Sequence, residues 1–395
     1  MAKILVTGGP VHAKLDAVKI VTNRFRGGRI VRMARLLAQK GHDLTYLCSK
    51  DAAHPNTLVP RVKHVEMGLV HHDGFIDYME KVPELAREHD MVILGAAVAN
   101  LIPEPPWGTD QKFPSHDYQE GDKVMVPFRV APRVINEVKQ ANPRCTLVGF
   151  KLLSGVSDEE LLRAAYTIIL DAKADLVVAN DSTNLNRKLL VTKERSVIEA
   201  YEEGYTGLDT EVGSLLILVD FLSEMANDEH YATVWRDSGV PGVPDALDSY
   251  FAVMREHGPR IEEFGTVGDL VFGCVAVRVP GGGFLCSPRG KNTIHEDPVY
   301  VHTVHHGVRH VMVGRSAYLD TDEYLKASLN APLLARMFEA DPRIQAIVHT
   351  HQTDTGLSVL PYAPPGTVRD SQRKLLDEDF EIEHHGTFTR VMEAS

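Results

Sequence analysis

Ile4-Leu5-Val6-Thr7-Gly8-Gly9 is the stretch on which the fold of this chain turns. An unbroken apolar run ends abruptly in a threonine and two glycines. Two later runs repeat the design: Val92-Ile93-Leu94-Gly95-Ala96-Ala97-Val98-Ala99-Asn100 and Leu176-Val177-Val178-Ala179-Asn180-Asp181. Short apolar runs without alternation suit strands buried on both faces, as in a parallel sheet covered by helices. In such sheets the ligand sits beyond the carboxyl ends of the strands. Small residues there let a ligand reach the backbone, and Asn or Asp can hydrogen-bond it.

Outward from these tips, strands and helices alternate. Helix Ile30–Lys40 carries an apolar face of Ile30, Met33, Ala34 and Leu37, and Gly41 supplies its stop. Strand Asp43–Cys48, helix Phe75–His89, strand Met91–Val98, helix Pro132–Gln140, strand Cys145–Phe150, helix Asp158–Ala172 and strand Asp175–Ala179 follow. This order predicts an α/β, Rossmann-like parallel sheet with helices on both faces. Between Leu101 and Val126 the pattern lapses into prolines, Trp107 and Gly108. Such a stretch reads as a lid or as a surface excursion. After strand Leu189–Thr192 and the amphipathic stretch Val212–Met225, Gly239-Val-Pro-Gly-Val-Pro244 reads as a linker. Strands Leu270–Val279 and Phe284–Ser287, helix Asp322–Glu339, strand Ile344–Thr350 and a strand at Thr387–Val391 then predict a smaller α+β unit. The expected boundaries are 1–230, a linker at 231–245, and 246–395.

The 395 residues suit two domains, and a net charge of −12 argues against nucleic acid as a partner. No apolar run reaches the length of about 18 residues needed to span a membrane. The first residues lack a signal-peptide pattern, and Cys48, Cys145, Cys274 and Cys286 show no paired spacing. A cytoplasmic setting is expected.

The turn Thr7-Gly8-Gly9-Pro10 is neither the dinucleotide fingerprint nor a Walker A sequence. The segment Leu15-Asp16-Ala17-Val18-Lys19-Ile20-Val21-Thr22-Asn23 leads through Arg24, Phe25, Arg26 and Gly27 to a helix start, where free N–H groups favour anions. Arg24, Arg26, Arg29, Arg32 and Arg35 are either an anion site or a solvated helix face. Four motifs carry a resemblance here: Leu15 to Asn23, Ala96-Ala97-Val98-Ala99-Asn100, Gly149-Phe150-Lys151-Leu152 and Val178-Ala179-Asn180-Asp181. In this order the first ~225 residues resemble the phosphopantothenoylcysteine synthetase (phosphopantothenate–cysteine ligase) family. The resemblance implies a ligase that activates a carboxylate with a nucleoside triphosphate, usually CTP, accompanied by Mg²⁺. The acyl-nucleotide then passes to an amine. It implies catalytic roles for Asn23 and Lys151. Nucleotide contacts fall to Gly8, Gly9, Arg24, Arg26, Gly27, Ala97, Asn100, Phe150, Asn180 and Asp181. The chain departs from the family in three places. Phe25 and Arg26 replace paired serines, Asn100 replaces an Asp, and a Lys-rich loop motif is missing. These departures point to a related amide-forming ligation rather than to the pantothenate-pathway reaction itself.

His349-Thr350-His351 closes an apolar strand. Residues two apart on a strand face the same side, so both imidazoles can meet one metal. His385, before Gly386, is the candidate third ligand of a catalytic-type site. The alternative is histidines that are merely buried or solvated. The last ~150 residues resemble the class II aldolase/adducin family. That family implies Zn²⁺ or another divalent metal on His349, His351 and His385. It also implies a phosphate or substrate turn at Ser287-Pro288-Arg289-Gly290, with Gly273 nearby. Where aldolase members carry their acid/base Glu, this chain has Asn330, and an amide cannot exchange that proton.

The expected activity is therefore nucleotide-dependent amide formation from a small-molecule carboxylate and amine. A metal-dependent lyase or epimerase centred on the histidines, and a non-catalytic assembly protein, are the alternatives. Both families self-associate, so a homo-oligomer is expected from the resemblance.

Overall fold

Strand Lys3–Thr7 lies inside an eight-stranded sheet. The order is Val197–Ala200, Asn184–Thr192, Leu176–Asp181, Thr146–Leu153, Met91–Leu94, Lys3–Thr7, Asp43–Ser49 and Gly68–His72. Neighbours from Leu176–Asp181 to Gly68–His72 pair in parallel, and the hairpin strands Asn184–Thr192 and Val197–Ala200 extend the sheet antiparallel. The chain leaves Lys3–Thr7 towards Asp43–Ser49 and returns on its other side as Met91–Leu94. A crevice forms where the winding reverses. Thr7 pairs with Leu94, so Gly8-Gly9 and Gly95-Ala96 emerge beside each other at that crevice.

Helix Gly28–Gln39 buries Val31, Met33, Ala34, Leu37 and Ala38, in one core with Ile4, Val6, Tyr46 and Ile93 from the sheet. It starts two residues before the expected Ile30, which brings Arg29 into its first turn. The Leu101–Val126 stretch is not bare loop. Leu101–Pro103 pairs with Phe128–Val130. Trp107 meets Phe113 edge-on at 5.0 Å, and Phe113 stacks on Tyr118 at 5.1 Å. Asp16 pins this excursion down. Its carboxylate accepts from the N–H groups of Val18, Lys19 and Phe113 and from Lys19 Nζ. These bonds, the one to Lys19 Nζ foremost, hold its acidity far below the usual carboxylate range.

The computed structural model describes residues 1–55, 67–200, 208–236, 243–305, 310–314, 326–375 and 377–393. It forms two units, Met1–Lys193 with Val197–Asn227, and Glu194–Ser196 with Asp228–Ser395. The second unit has a nine-stranded sheet in the order Ala232–Arg236, His310–Gly314, Val299–His305, Phe284–Cys286, Cys274–Arg278, Ile344–Thr350, Gly386–Met392, Phe380–Ile382 and Ser358–Leu360. Helix Val243–Gly265 covers one face with Tyr250, Met254 and Ile261. Helix Ala331–Ala340 covers the other with Leu333, Leu334, Met337 and Phe338. No helix among the described residues is long and apolar enough to cross a membrane.

Three expectations change here. The segment 231–245 is not a plain linker, because Ala232–Arg236 joins the sheet and the helix begins at Val243; residues 237–242 lie outside the described set. The strand expected over Leu270–Val279 is two strands, Leu270–Val271 and Cys274–Arg278, interrupted at Gly273 with φ +93°. The expected helix Asp322–Glu339 starts only at Ala331, with Pro332 at its head. Proline suits a first turn, where no N–H partner is needed. Residues 322–325 lie outside the described set.

Candidate functional site

The crevice of the first unit holds a cavity of about 620 Å³, within the range of small-molecule sites. Gly9, Gly27, Gly28, Gly95, Ala96 and Ala97 line one side. Gly27 sits at φ +83°, and a Cβ on it would come 2.4 Å from Gly9 N. Only glycine tolerates both the left-handed backbone and that approach. Gly27 caps helix Gly28–Gln39 without a side-chain hydrogen bond, so the first N–H groups stay available to an anion. Arg26, Arg29 and Lys151 add positive charge at the lining. Arg29 is held in place by Leu185 O at 2.8 Å and Asn186 Oδ1 at 3.3 Å.

Ile30, Met33, Phe150, Leu185, Leu215 and Leu218 give the same cavity an apolar wall. Lys188 enters that wall with only 4 % exposure, and donates to Ser214 Oγ at 2.9 Å and Leu185 O at 3.3 Å. Asn23 stands at the lining. Its Nδ2 donates to Ala97 O at 3.1 Å and Val98 O at 2.9 Å, which fixes the side chain and leaves its carbonyl oxygen as the group it can offer a ligand.

The structure thus brings Gly9, Asn23, Arg26, Gly27, Ala97, Phe150, Lys151 and Asn180 to one cavity. Four expected contacts fall outside its lining. Gly8 is packed against the Tyr46 hydroxyl, where a Cβ would come within 1.9 Å. Arg24 and Asn100 are exposed. The Asp181 carboxylate is taken up by its own loop and the one after Thr146–Leu153, accepting from Thr183 N and Oγ1, Gly155 N and Val156 N. Those bonds, led by the Thr183 hydroxyl, strongly favour its charged form. Sequence reasoning missed Leu185, Lys188, Leu215 and Leu218. A lysine opening an apolar strand, Lys188-Leu189-Leu190-Val191, was the one available signal.

In the second unit, His349, His351 and His385 each offer a nitrogen, and all three lie within 4.8 Å of one another. Strand Ile344–Thr350 sets His349, and the turn before Gly386–Met392 brings up His385, through the pairs His349–Phe388 and Thr350–Thr387. His349 is fully buried and stacks on Phe388 at 4.3 Å. Its Nδ1 donates to Thr387 O at 2.9 Å, which leaves Nε2 with a lone pair. That atom is buried with no hydrogen-bond partner. Burial pushes His349 down to about 4, and burial with the neighbouring histidines pulls His351 and His385 well below their usual range. Neutral imidazoles are the metal-binding form. A buried, unpartnered ring nitrogen pointing to two more is a donor set that fits a divalent transition metal. Asn330 Oδ1 lies 3.3 Å from His385 Nε2.

Of the expected phosphate turn, Ser287 is not available. Ser287 is fully buried. Its hydroxyl is engaged by Tyr250 OH at 3.0 Å and by Val275 N at 3.0 Å, so it holds the strands together instead of facing a ligand. Arg289 and Gly290 are exposed.

These features define a two-unit protein: a doubly wound α/β unit with a cavity at its switch point, then an α+β unit with a three-histidine cluster. Residues 1–207 match the DNA/pantothenate metabolism flavoprotein C-terminal domain, and the chain belongs to that family. Residues 248–388 match the Class II Aldolase and Adducin N-terminal domain. The coenzyme A biosynthesis bifunctional protein CoaBC of Thermococcus kodakarensis is 29% identical over 178 residues, 45% of this chain and 41% of the relative. Its counterpart from Mycolicibacterium smegmatis is 26% identical over 179 residues, 45% of this chain and 42% of the relative. The chain therefore spans about two fifths of the length of these relatives. The DNA/pantothenate metabolism flavoprotein from Streptococcus pneumoniae superposes with a TM-score of 0.46 at 23% identity, over 56% of this chain and 99% of that one. An aldolase II superfamily protein from Pseudomonas syringae gives 0.26 at 16% identity, over 38% and 68%.

Proposed function

We propose that the first unit is a nucleotide-dependent, amide-forming ligase. One observation carries this reading. A single cavity joins a cationic, glycine-floored end at a helix N-terminus to an apolar end. A triphosphate suits the first and a flat base the second. The base end carries Lys188, a pure donor, which suits the acceptor edge of a pyrimidine such as cytosine. CTP is the first nucleotide to test, in keeping with the family resemblance. Among the described residues no acidic side chain lines the cavity, so Mg²⁺ would ride on the phosphates.

In the proposed reaction a substrate carboxylate oxygen attacks the α-phosphorus. The bond to the β-phosphate oxygen breaks and pyrophosphate leaves. An amine then attacks the acyl carbon, loses a proton, and expels the nucleoside monophosphate. Arg26, Lys151 and the helix N–H groups would stabilise the charge that builds on the phosphates; losing one such donor typically costs about 10²–10³ in rate. Asn23, with both amide hydrogens committed to the Ala97–Val98 tip, offers an acceptor that can orient the incoming amine. Because Arg26 and Asn100 depart from the family pattern, phosphopantothenate with cysteine is one pair in a panel of carboxylates and amines.

The second unit is proposed to hold a divalent metal, Zn²⁺ first, on His349, His351 and His385. The buried Nε2 of His349 supports this. When bound, the metal would supply Lewis-acid chemistry. Asn330 cannot serve as acid or base, which disfavours aldolase chemistry there. Self-association is proposed through exposed apolar residues of the first unit, Val18, Ile20, Leu101, Phe128 and Val130. Pyrophosphate release from each of the four nucleoside triphosphates, across the substrate panel, tests the ligase reading. Metal analysis of protein purified without chelator tests the second site.

A further inference from the structure

The lining of the switch-point cavity restricts the kind of acid it can take. Its polar side chains are Asn23, Arg26, Arg29, Lys151, Asn180 and Lys188. Arg29 is engaged with Leu185 O and Asn186 Oδ1, and Lys188 with Ser214 Oγ and Leu185 O. Asn180 donates to Arg187 O at 3.5 Å. In the ligase reading Arg26 and Lys151 meet the phosphates and Asn23 meets the amine. Among the described residues the lining has no hydroxyl, imidazole or carboxylate side chain. A substrate tail with hydroxyls would lose hydrogen bonds to water and find few in return, and unpaired polar groups are costly to bury. A tail with an ammonium group would find no counter-charge.

Apolar side chains stand near the reacting end instead. Phe25 lies between Asn23 and Arg26 in the chain and is 50 % exposed. Leu152 follows Lys151 and is 40 % exposed. Val98 supplies a carbonyl that holds Asn23 in place. All three line the cavity. Phe150 and Leu152 are two apart on strand Thr146–Leu153, so they share a face. Leu152 is the nearer to the strand's carboxyl end and pairs with Asn180, itself a lining residue. The apolar wall that begins at Phe150 therefore continues past Lys151. Large apolar side chains left half in water beside a reacting group are stabilised when a ligand covers them.

We propose that the acid activated in this cavity is a monocarboxylate with an uncharged, unhydroxylated hydrocarbon tail, which lies on Phe25, Val98 and Leu152. This rests on the ligase reading of the first unit. Phe25 and Leu152 select the acid through the area the tail covers, and neither takes part in the bond changes.

The test uses the full chain with CTP, Mg²⁺ and hydroxylamine as the amine; where CTP fails, the other three nucleotides replace it. Hydroxylamine attacks the acyl carbon of the acyl-nucleotide, giving a hydroxamate and the nucleoside monophosphate. The acids are acetate, hexanoate, phosphopantothenate and three polar six-carbon acids: gluconate, adipate and 6-aminohexanoate. From acetate to hexanoate kcat/KM should rise at least about tenfold, since each fully buried methylene is worth about threefold to fourfold. The four polar acids should all fall below hexanoate. Phe25→Ala should lower the hexanoate-to-acetate ratio of kcat/KM by about tenfold and Leu152→Ala by about fivefold, while Phe25→Leu keeps most of it. The ratio is taken within one protein, so a loss of folded material alone does not move it. Absence of hydroxamate and of pyrophosphate with every acid and nucleotide overturns the ligase reading itself. Hydroxamate formation from any of the polar acids at or above the rate with hexanoate overturns the hydrocarbon tail and leaves the ligase standing. A ratio unchanged in both alanine variants overturns the part given to Phe25 and Leu152.

Discussion

Three single residues carry distinct, checkable loads. Asn23 spends its donors on Ala97 O and Val98 O, so Asn23→Ala should lose the amide product by about a hundredfold or more. Nucleotide binding should be little changed, as measured by calorimetry. Gly27→Ala forces a side chain into a left-handed backbone 2.4 Å from Gly9 N; it should cost at least about 1 kcal/mol of stability and most of the nucleotide affinity. His72 is 3 % exposed, and its Nε2 has no hydrogen-bond partner. Burial, with His12 beside it, pushes it down to about 4. The unfolded chain takes up that proton near 6.5 and the folded chain only near 4. Stability is therefore whole above that window and lost as pH falls through it, by roughly 3 kcal/mol in all. Denaturant unfolding at pH 7 and pH 4.5 should show a smaller loss in His72→Gln than in the parent; equal losses would remove His72 from the account.

At the scale of elements, much was legible and for definite reasons. The three strand tips announced themselves because unbroken apolar runs ending in small residues have few other uses. His349 and His351 were legible because a period of two puts them on one face. What escaped the sequence depends on register and on distant segments. Leu215 and Leu218 sit on helix Leu208–Asn227, and nothing in that helix says it faces the cavity. Asp181 and Ser287 erred in the opposite direction, since polar residues at the right positions are consumed by local hydrogen bonds. The excursion after Leu101 reads as loose from its prolines, yet Asp16 ties it to the Leu15–Lys19 turn. Asp16→Ala should expose the segment around Trp107 and Phe113 to limited proteolysis while the sheet remains folded. Unchanged resistance would mean that the aromatic stack alone holds it.

For the molecule as a whole, the exposed apolar residues of the first unit deserve a test of assembly. Val130 is 78 % exposed and Val18 69 %. Light scattering should find a homo-oligomer for the parent and a smaller species for Val130→Lys, with the fold intact by circular dichroism. A monomeric parent would leave that surface unexplained. The central claim is that the cavity at the switch point uses a nucleoside triphosphate to activate a carboxylate. The most direct measurement is pyrophosphate and nucleoside monophosphate release by the full chain, with each of the four nucleotides, Mg²⁺ and the panel of carboxylates and amines. The account predicts equimolar release of both with CTP, dependent on a carboxylate and matched by amide product. Absence of release with every nucleotide, together with no saturable binding of any of them, would contradict it.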